Sequence, residues 1–381
     1  MKYVPYICPE CGAHYPLESL AFRCSCGSLL DIAPFEPHFP PSPARAGERS
    51  IFRYVDAMPP VDDDHHDWTD AWHQVSMGEG LTPLMPLDPS DANILVKVDY
   101  AMPTLSFKDR GAAVLVAVAR AAGARRLVQD SSGNAGASVA AYAARAGMGC
   151  DIFVPAATSP RKVAQIEAYG ARAVIVPGTR EDTAAAALDA AEAGARDGST
   201  FYASHVYNPF FYQGTKTYLY ELYESLGGRL PDTLYIPLGN GTLVLGAYLA
   251  IKDLIDLGLV ARSPHIVAVQ AAGCAPVFAA FEHGNMTVEA VANTGTEAEG
   301  IAIAAPMRGS RVLAALRELG GEVVLAPEAG IAGAKHEVAA RGFFIETTSA
   351  ATFAAYFERS KAGLDEGLVV LPLCGAGLKS V

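Results

Sequence analysis

Positive charge is scarce in this chain. Its 29 lysines and arginines face 41 aspartates and glutamates, which leaves a net charge of −12 at neutral pH. With no basic face to track phosphates, nucleic acid is not expected as the main partner. Long apolar runs are missing too: no uninterrupted stretch reaches the roughly 18–20 residues of a membrane helix. Met1 to Tyr6 carries no secretory apolar segment, so no membrane partner is expected and a cytoplasmic location is. Charged residues make up only 18% of the chain and apolar ones 51%. That is the balance of an Ala-rich globular protein long enough for two or three domains with real cores.

Cysteine is sparse outside one place. Of seven, Cys150, Cys274 and Cys374 are scattered, while Cys8, Cys11, Cys24 and Cys26 crowd the N-terminal segment. Paired cysteines in a reducing compartment point to a tetrahedral zinc ribbon rather than disulfides. Gly12 and Gly27 follow each pair, as tight knuckle turns require. Cys24 and Cys26 are separated by one residue instead of two, so a degenerate, metal-free ribbon stays open as the alternative. A metal held there would be structural, because four thiolates leave no open position.

The rest of the chain is organised around Leu105 to Ser138. It opens with Leu105-Ser106-Phe107-Lys108-Asp109-Arg110-Gly111 and runs through an Ala/Val-rich stretch, Ala112 to Ala119, that reads as a buried helix. Leu127 to Asp130 reads as a strand, Ser131-Ser132-Gly133-Asn134 as a turn, and Ala137 to Ala146 as a second helix. A helix start after such a turn favours an anion. Lys108 alone would be no more than a helix-start cation.

The combination is more specific. Ser-Phe-Lys-Asp-Arg-Gly followed by Ser-Ser-Gly-Asn resembles the threonine synthase branch of the fold type II pyridoxal-phosphate enzymes. The resemblance runs, with gaps, from about residue 78, where Gly78-Glu79-Gly80-Leu81-Thr82-Pro83-Leu84 matches an early family segment. It implies that Lys108 forms the Schiff base with pyridoxal 5'-phosphate and that Phe107 and Asn134 contact the cofactor. The substrate carboxylate would be held by Ser131, Ser132, Gly133 and Ala135. Lysine can do this chemistry as the neutral amine.

Farther along, strands and helices alternate: Asp151–Pro155, a helix Ser159–Tyr169 with its cap at Ser159, Ala173–Pro177, and a helix Arg180–Arg196. That order implies a parallel sheet covered by helices. Tyr218 to Ser225 reads as helical, and Thr233 to Leu238 as a strand. It runs straight into Gly239-Asn240-Gly241-Thr242-Leu243 and a helix from about Val244. Such a turn is either a phosphate cradle or a plain tight βα turn; the resemblance assigns residues 239 to 243 to the cofactor phosphate. Ile266–Gln270, Glu322–Leu325 and Leu368–Leu373 read as further strands. Ala298 to Ile303 is similar to a segment lining the cofactor in amino-acid ammonia-lyases of this fold. Cys374 stands where family members place a hydroxyl against the pyridine nitrogen. A thiol is a weak donor and acceptor, and a buried structural cysteine is the plain alternative.

The expected architecture is α/β: a two-domain fold type II enzyme with parallel-rich sheets covered by helices, plus the ribbon. Residues 1–33 form the ribbon, 34–111 and 206–381 the large cofactor-binding domain, and 112–205 the small domain. Pro34 to Pro43 reads as a linker, residues 51–76 as polar and acidic, and the Asp62–Asp67 run as a solvated loop. A homodimer is the expected assembly.

The implied reaction is an elimination or replacement on an amino acid, carried out by a threonine synthase-like carbon–oxygen lyase. An ammonia-lyase or β-replacing enzyme using an unphosphorylated substrate is the close alternative, and a non-catalytic binding protein the distant one. The family grips a substrate phosphate with polar side chains where this chain has Val206, Phe211 and Ala135. Arg308, His205 or Lys216 would have to replace them, or the substrate carries no phosphate.

Overall fold

The computed structural model describes residues 6–43, 45–59, 69–365 and 367–380; the Asp62–Asp67 run lies outside them. In chain order the elements are β1 Tyr6–Ile7, β2 His14–Tyr15, β3 Asp31–Ile32, α1 Thr69–His73, β4 Leu84–Asp88, β5 Asp91–Lys97, α2 Lys108–Ala121, β6 Arg126–Gln129, α3 Asn134–Arg145, β7 Gly149–Pro155, α4 Pro160–Ala168 and β8 Arg172–Val176. They continue with α5 Arg180–Arg196, β9 Thr200–Tyr202, α6 Phe210–Ser225, β10 Thr233–Pro237, α7 Thr242–Asp256, β11 His265–Ala271, α8 Pro276–Glu282, α9 Gly309–Glu318, β12 Glu322–Ala326, α10 Glu328–Ala340, α11 Thr347–Lys361 and β13 Val369–Pro372. Short 3₁₀ turns fill some of the connections.

Two compact units emerge. One takes the chain up to Gly80 together with Lys108–Gly214; the other takes Leu81–Phe107 and the residues from Thr215 on. These borders differ from those read in the sequence, and the continuity of α2 explains one of them, whereas the border at Gly214 falls within α6. Because α2 starts at Lys108, residues 108–111 travel with it.

In the first unit, β8-β7-β6-β9 make an all-parallel sheet. Every residue of α2 from Asp109 to Ala119 is buried, so this helix has no solvent stripe and its Ala/Val composition is that of a core element. Cys150 to Val154 of β7 are likewise buried, as expected of a strand covered on both faces. The cysteine segment adds a small antiparallel sheet, β2-β1-β3. Residues 51–57 depart from the polar reading. They form a 3₁₀ turn with Ile51, Phe52, Tyr54 and Val55 buried, and Phe52 stacks on Trp72 at 5.1 Å. The acidic residues farther along mask this apolar run.

In the second unit the sheet order is β12-β11-β10-β13-β5-β4. All pairs are parallel except β4 with β5. Strand β4 is an addition to the sequence reading, since Pro86 interrupts its alternation. Helices α10 and α11 pack their apolar sides, including Ile331, Val338, Phe353 and Tyr356, over this sheet. At the end of β5 the buried Lys97 ammonium donates to the Glu221 carboxylate at 2.6 Å and to the Thr82 carbonyl at 2.5 Å.

Two helix starts also move. Helix α6 begins at Phe210, eight residues before the sequence reading, because the Asn208 side chain accepts the Phe210 N–H at 3.0 Å and caps it. Ser159 sits at the start of α4 without a side-chain cap bond, and Pro160 occupies the first helical position.

Candidate active site

Lys108 opens α2 in the first unit, and its Nζ lies 5.6 Å from the centroid of the Phe211 ring. That ring packs on Gly111: a Cβ there would come within 2.4 Å of it. His205 completes the stack, 5.7 Å from Phe211. Burial, and then the charges of Lys108 and Arg180, hold the His205 imidazole well below its ordinary pKa, so it is neutral.

The Ser131–Asn134 turn belongs to the same unit. It leaves β6 at its carboxyl end, where open α/β sheets bind ligands. Gly133 caps α3 with no side-chain bond, and the Ser131 hydroxyl accepts the Gly133 N–H at 3.3 Å. Ser132, Gly133 and Asn134 are only partly buried, and Ala135 is fully so. The turn is tight for one steric reason. A Cβ on Gly136 would lie 1.7 Å from the Ser131 carbonyl oxygen. Asp130, just before the turn, has its carboxyl pKa raised by burial.

In the second unit, Gly239, Asn240 and Gly241 join β10 to α7, whose first residues are Thr242 and Leu243. Gly241 adopts φ 78° and caps α7 with no side-chain bond. Gly239 abuts the 299–301 turn: its Cβ would sit 3.0 Å from Ile301 Cα. The Thr348 hydroxyl accepts the Gly300 N–H at 3.2 Å. Buried Cys374 receives the Phe107 N–H on its carbonyl at 2.8 Å and gives its own N–H to Ser349 Oγ at 2.9 Å. Leu105 has φ 63°, a strain of about 1–3 kcal/mol for a side-chain-bearing residue. Ala376 N–H on the Leu105 carbonyl helps hold it there. The next hydroxyl, Ser106 Oγ, is buried without a partner among the described residues, the kind of orphan a bound polar group satisfies.

In the same unit the buried Lys216 ammonium binds the partly exposed Asp253 carboxylate at 2.9 Å. Arg308 is buried at the start of α9.

The four N-terminal cysteines converge. Their sulfurs all lie within 4.8 Å of one another, with Cys8 to Cys26 at 3.7 Å and Cys11 to Cys24 at 3.5 Å. A tetrahedral zinc with bonds of about 2.3 Å sets sulfurs roughly 3.8 Å apart, so the donor set fits that ion. The one-residue spacing is absorbed in the knuckle. Gly12 N–H bonds the Cys8 carbonyl four residues back, while Gly27 N–H bonds Cys24 three back, both at 2.9 Å.

Compared with known proteins, residues 75–375 match the family model described as "Pyridoxal-phosphate dependent enzyme". The chain belongs to that family. Threonine synthase of Methanocaldococcus jannaschii is 30% identical over 98% of this chain and 92% of its own length. Threonine synthase of Mycobacterium tuberculosis is 32% identical over 86% and 88%. Among solved structures, maize serine racemase aligns with a TM-score of 0.67 at 21% identity, over 81% of this chain and 92% of its own. Threonine deaminase isoform 2 of Solanum lycopersicum gives 0.65 at 22%, over 84% and 92%. These two likenesses show the fold.

In the first unit the lysine at a helix start and the glycine-capped start of α3 are groups of the kind the family's cofactor needs; in the second, taken by itself, so are the glycine-capped start of α7 and the buried orphan hydroxyl of Ser106. Sequence reading missed the Glu79–Tyr142 pair, in which the Tyr142 hydroxyl donates to Glu79 Oε2 at 3.1 Å. It also missed the cap at Asn208. Asparagine before proline at a helix start could have disclosed the latter; nothing local pairs residues 79 and 142.

Proposed function

We propose that this pyridoxal-phosphate-dependent enzyme is a threonine synthase-like lyase acting on an amino acid by elimination or replacement. The carrying observation is Lys108, set at the start of α2 against Phe211 in the unit that also holds the Ser131–Asn134 turn. In this reading Lys108 binds the cofactor covalently, with Phe107, Asn134 and Cys374 contacting its ring. Residues Gly239, Asn240, Gly241, Thr242 and Leu243 hold its phosphate with N–H groups at the start of α7. When bound, the cofactor supplies a sink for negative charge at the substrate α-carbon. Ser131, Ser132, Gly133 and Ala135, at the start of α3, hold the substrate carboxylate. The Lys108 amine, once neutral, takes the α-proton.

One observation favours a substrate without a phosphate. Beside Lys108 stand Phe211 and a neutral His205, and Val206 and Ala135 are apolar and buried. Such groups do not repay desolvation of a dianion. Structural zinc on Cys8, Cys11, Cys24 and Cys26, a homodimer and a cytoplasmic location complete the reading. Elemental analysis, sedimentation and fractionation check these in turn.

The purified protein is expected to show the visible band of the lysine-linked cofactor, which Lys108→Ala abolishes. An unchanged, borohydride-reducible band in that variant would move the attachment elsewhere. Steady-state assays with O-phosphohomoserine, threonine, serine and O-acetylserine then rank the substrates. A kcat/KM of about 10⁴ M⁻¹s⁻¹ or more for O-phosphohomoserine alone would restore a phosphorylated substrate. Turnover of none would move the substrate to another amino acid.

A further inference from the structure

The ribbon touches the segment that flanks Lys108 at two separate points. On β1, the Tyr6 hydroxyl accepts a hydrogen bond from Asn208 Nδ2 at 3.0 Å, and its ring meets Phe210 edge-on at 5.6 Å. The other end of the same amide, Asn208 Oδ1, accepts the Phe210 N–H. Only the oxygen can accept from a backbone N–H, so the nitrogen must face Tyr6. One side chain thus joins β1 of the ribbon to the first turn of α6. The next residue of that turn is Phe211, the ring over Lys108.

The second contact is aromatic. Phe22, between the cysteine pairs, meets Tyr202 edge-on at 5.1 Å and Tyr207 at 5.9 Å. Tyr202 ends β9, and Tyr207 precedes Asn208. Arg23 pairs with Glu192 of α5 and ties the same stretch of ribbon down. Between these holds, residues 203–209 have no regular structure of their own. They carry His205 and lead to Phe211.

We propose that Tyr6 and Phe22, both carried by the cysteine ribbon, are positioning residues that hold the 202–211 segment, and with it His205 and Phe211, beside Lys108. Neither touches the reacting atoms; each acts through the segment. The catalytic consequence rests on the reading of Lys108 given above, while the mechanical one does not.

The test uses the full-length protein with its cofactor and metal content measured. Tyr6→Phe keeps the ring contact and removes the partner of Asn208. Phe22→Ala removes the edge contacts, and Phe22→Tyr restores them. Hydrogen exchange at the amides of residues 203–211 should quicken by about tenfold in Tyr6→Phe and Phe22→Ala, as loss of one hydrogen bond or ring contact would give. Phe22→Tyr should return it to the wild-type rate. The ratio of kcat/KM between two amino-acid substrates should shift at least about threefold in the same variants, with the visible cofactor band retained. If Phe22→Ala loses metal and unfolds the ribbon, the isosteric Tyr6→Phe decides. Unchanged exchange over 203–211 would overturn the proposal. So would faster exchange with an unaltered substrate ratio, because the segment would then be held without positioning anything. A wild-type protein with no visible cofactor band would sink the Lys108 reading, whereas the exchange rates would still decide whether the ribbon holds the segment.

Discussion

At the end of β6 the chain turns into α3 through Asp130, Ser131, Ser132 and Gly133; at the end of β10 it turns into α7 through Leu238, Gly239, Asn240 and Gly241. The two junctions have the same outline and are anchored differently. Helix α3 is tied by buried polar groups: Ser138 donates to Asp109, and Tyr142 to Glu79. The Glu79 carboxylate, itself 0% exposed, also receives the Ser76 hydroxyl at 3.1 Å and the Met77 N–H at 2.8 Å. Helix α7 is anchored by Leu243, Val244, Leu245, Ile251 and Leu254, all buried, and by the Thr215 hydroxyl on the Thr242 carbonyl at 2.9 Å. None of those groups titrates near neutrality; the charged pair that α7 does carry, Asp253 with Lys216, sits at its far end, away from the turn. One outline can thus be built as a protonation-sensitive junction or a less sensitive one, depending on what the helix behind it buries.

The largest effect should come from closing the first turn. Gly136→Ala would place a Cβ 1.7 Å from a backbone oxygen and 3.2 Å from Ile152 Cγ2. Backbone cannot step aside cheaply, so a loss of about 3 kcal/mol or more is expected. At the second turn Gly241→Ala meets a side chain instead, Val312 Cγ2 at 2.3 Å, with φ at +78°. A rotating valine and a left-handed alanine cost about 1–2 kcal/mol together. Urea melts of the two variants measure both. Equal losses would break the comparison.

The next effect is a pH dependence that the first junction carries through Glu79. Burial raises the Glu79 carboxyl from 4.5 to about 7, against the pull of the Met77 N–H, Ser76 and Tyr142. The folded state therefore keeps a proton that the unfolded chain releases, and stability falls as pH rises from about 4.5 to 7. The drop is on the order of 3 kcal/mol. His205 works in the opposite sense. Its folded pKa is depressed, so its share of stability is lost as pH falls below the ordinary histidine value. Asp130, raised by burial, adds to the Glu79 trend. Glu79→Gln leaves the other two groups in place, so the wild-type curve minus the variant curve isolates Glu79. That difference should decline between pH 4.5 and 7 and then level. A flat difference would mean that the carboxyl titrates in the folded protein as it does in the unfolded chain.

The elements around both junctions are legible in the sequence because each is set by neighbours along the chain. Ala/Val density makes α2 a buried helix, and the β-α-β-α order makes the sheet parallel. The sequence reading of Arg180–Arg196 matches α5 to the residue, its start marked by the Thr179–Asp182 capping box. What stays hidden depends on partners far away in sequence. Glu79 meets Tyr142 across 63 residues and Asn208 meets Tyr6 across 202. No periodicity or spacing announces such pairs. The buried 51–57 turn is obscured by its acidic neighbours, and the start of α6 by a run of aromatic and polar residues without helical periodicity. The cysteine spacing, by contrast, points to a convergent set even with one residue missing, since the knuckle glycines are in place.

The smallest effect reads the charge on Glu79 most directly. Tyr142→Phe removes one hydroxyl, 3.1 Å from Glu79 Oε2, and leaves the ring that fills the core behind α3. The carboxyl keeps Ser76 and Met77, so it is not stripped of partners. Above about pH 7 Glu79 is ionised, and the lost bond is a charge-assisted one, worth about 1.5 kcal/mol or somewhat more. Near pH 5 the carboxyl is protonated, and the same hydroxyl gives up only an ordinary bond of about 0.5–1 kcal/mol. The variant should therefore look nearly harmless in acid and cost more in base, and the Glu79 titration should move upward because one of the groups that lower it is gone. Melts at pH 5 and pH 8 measure the difference directly. Equal losses at the two pH values would show that the bond does not feel the charge on Glu79, and the polar anchoring of α3 would then be no more sensitive to protonation than the apolar packing at the start of α7.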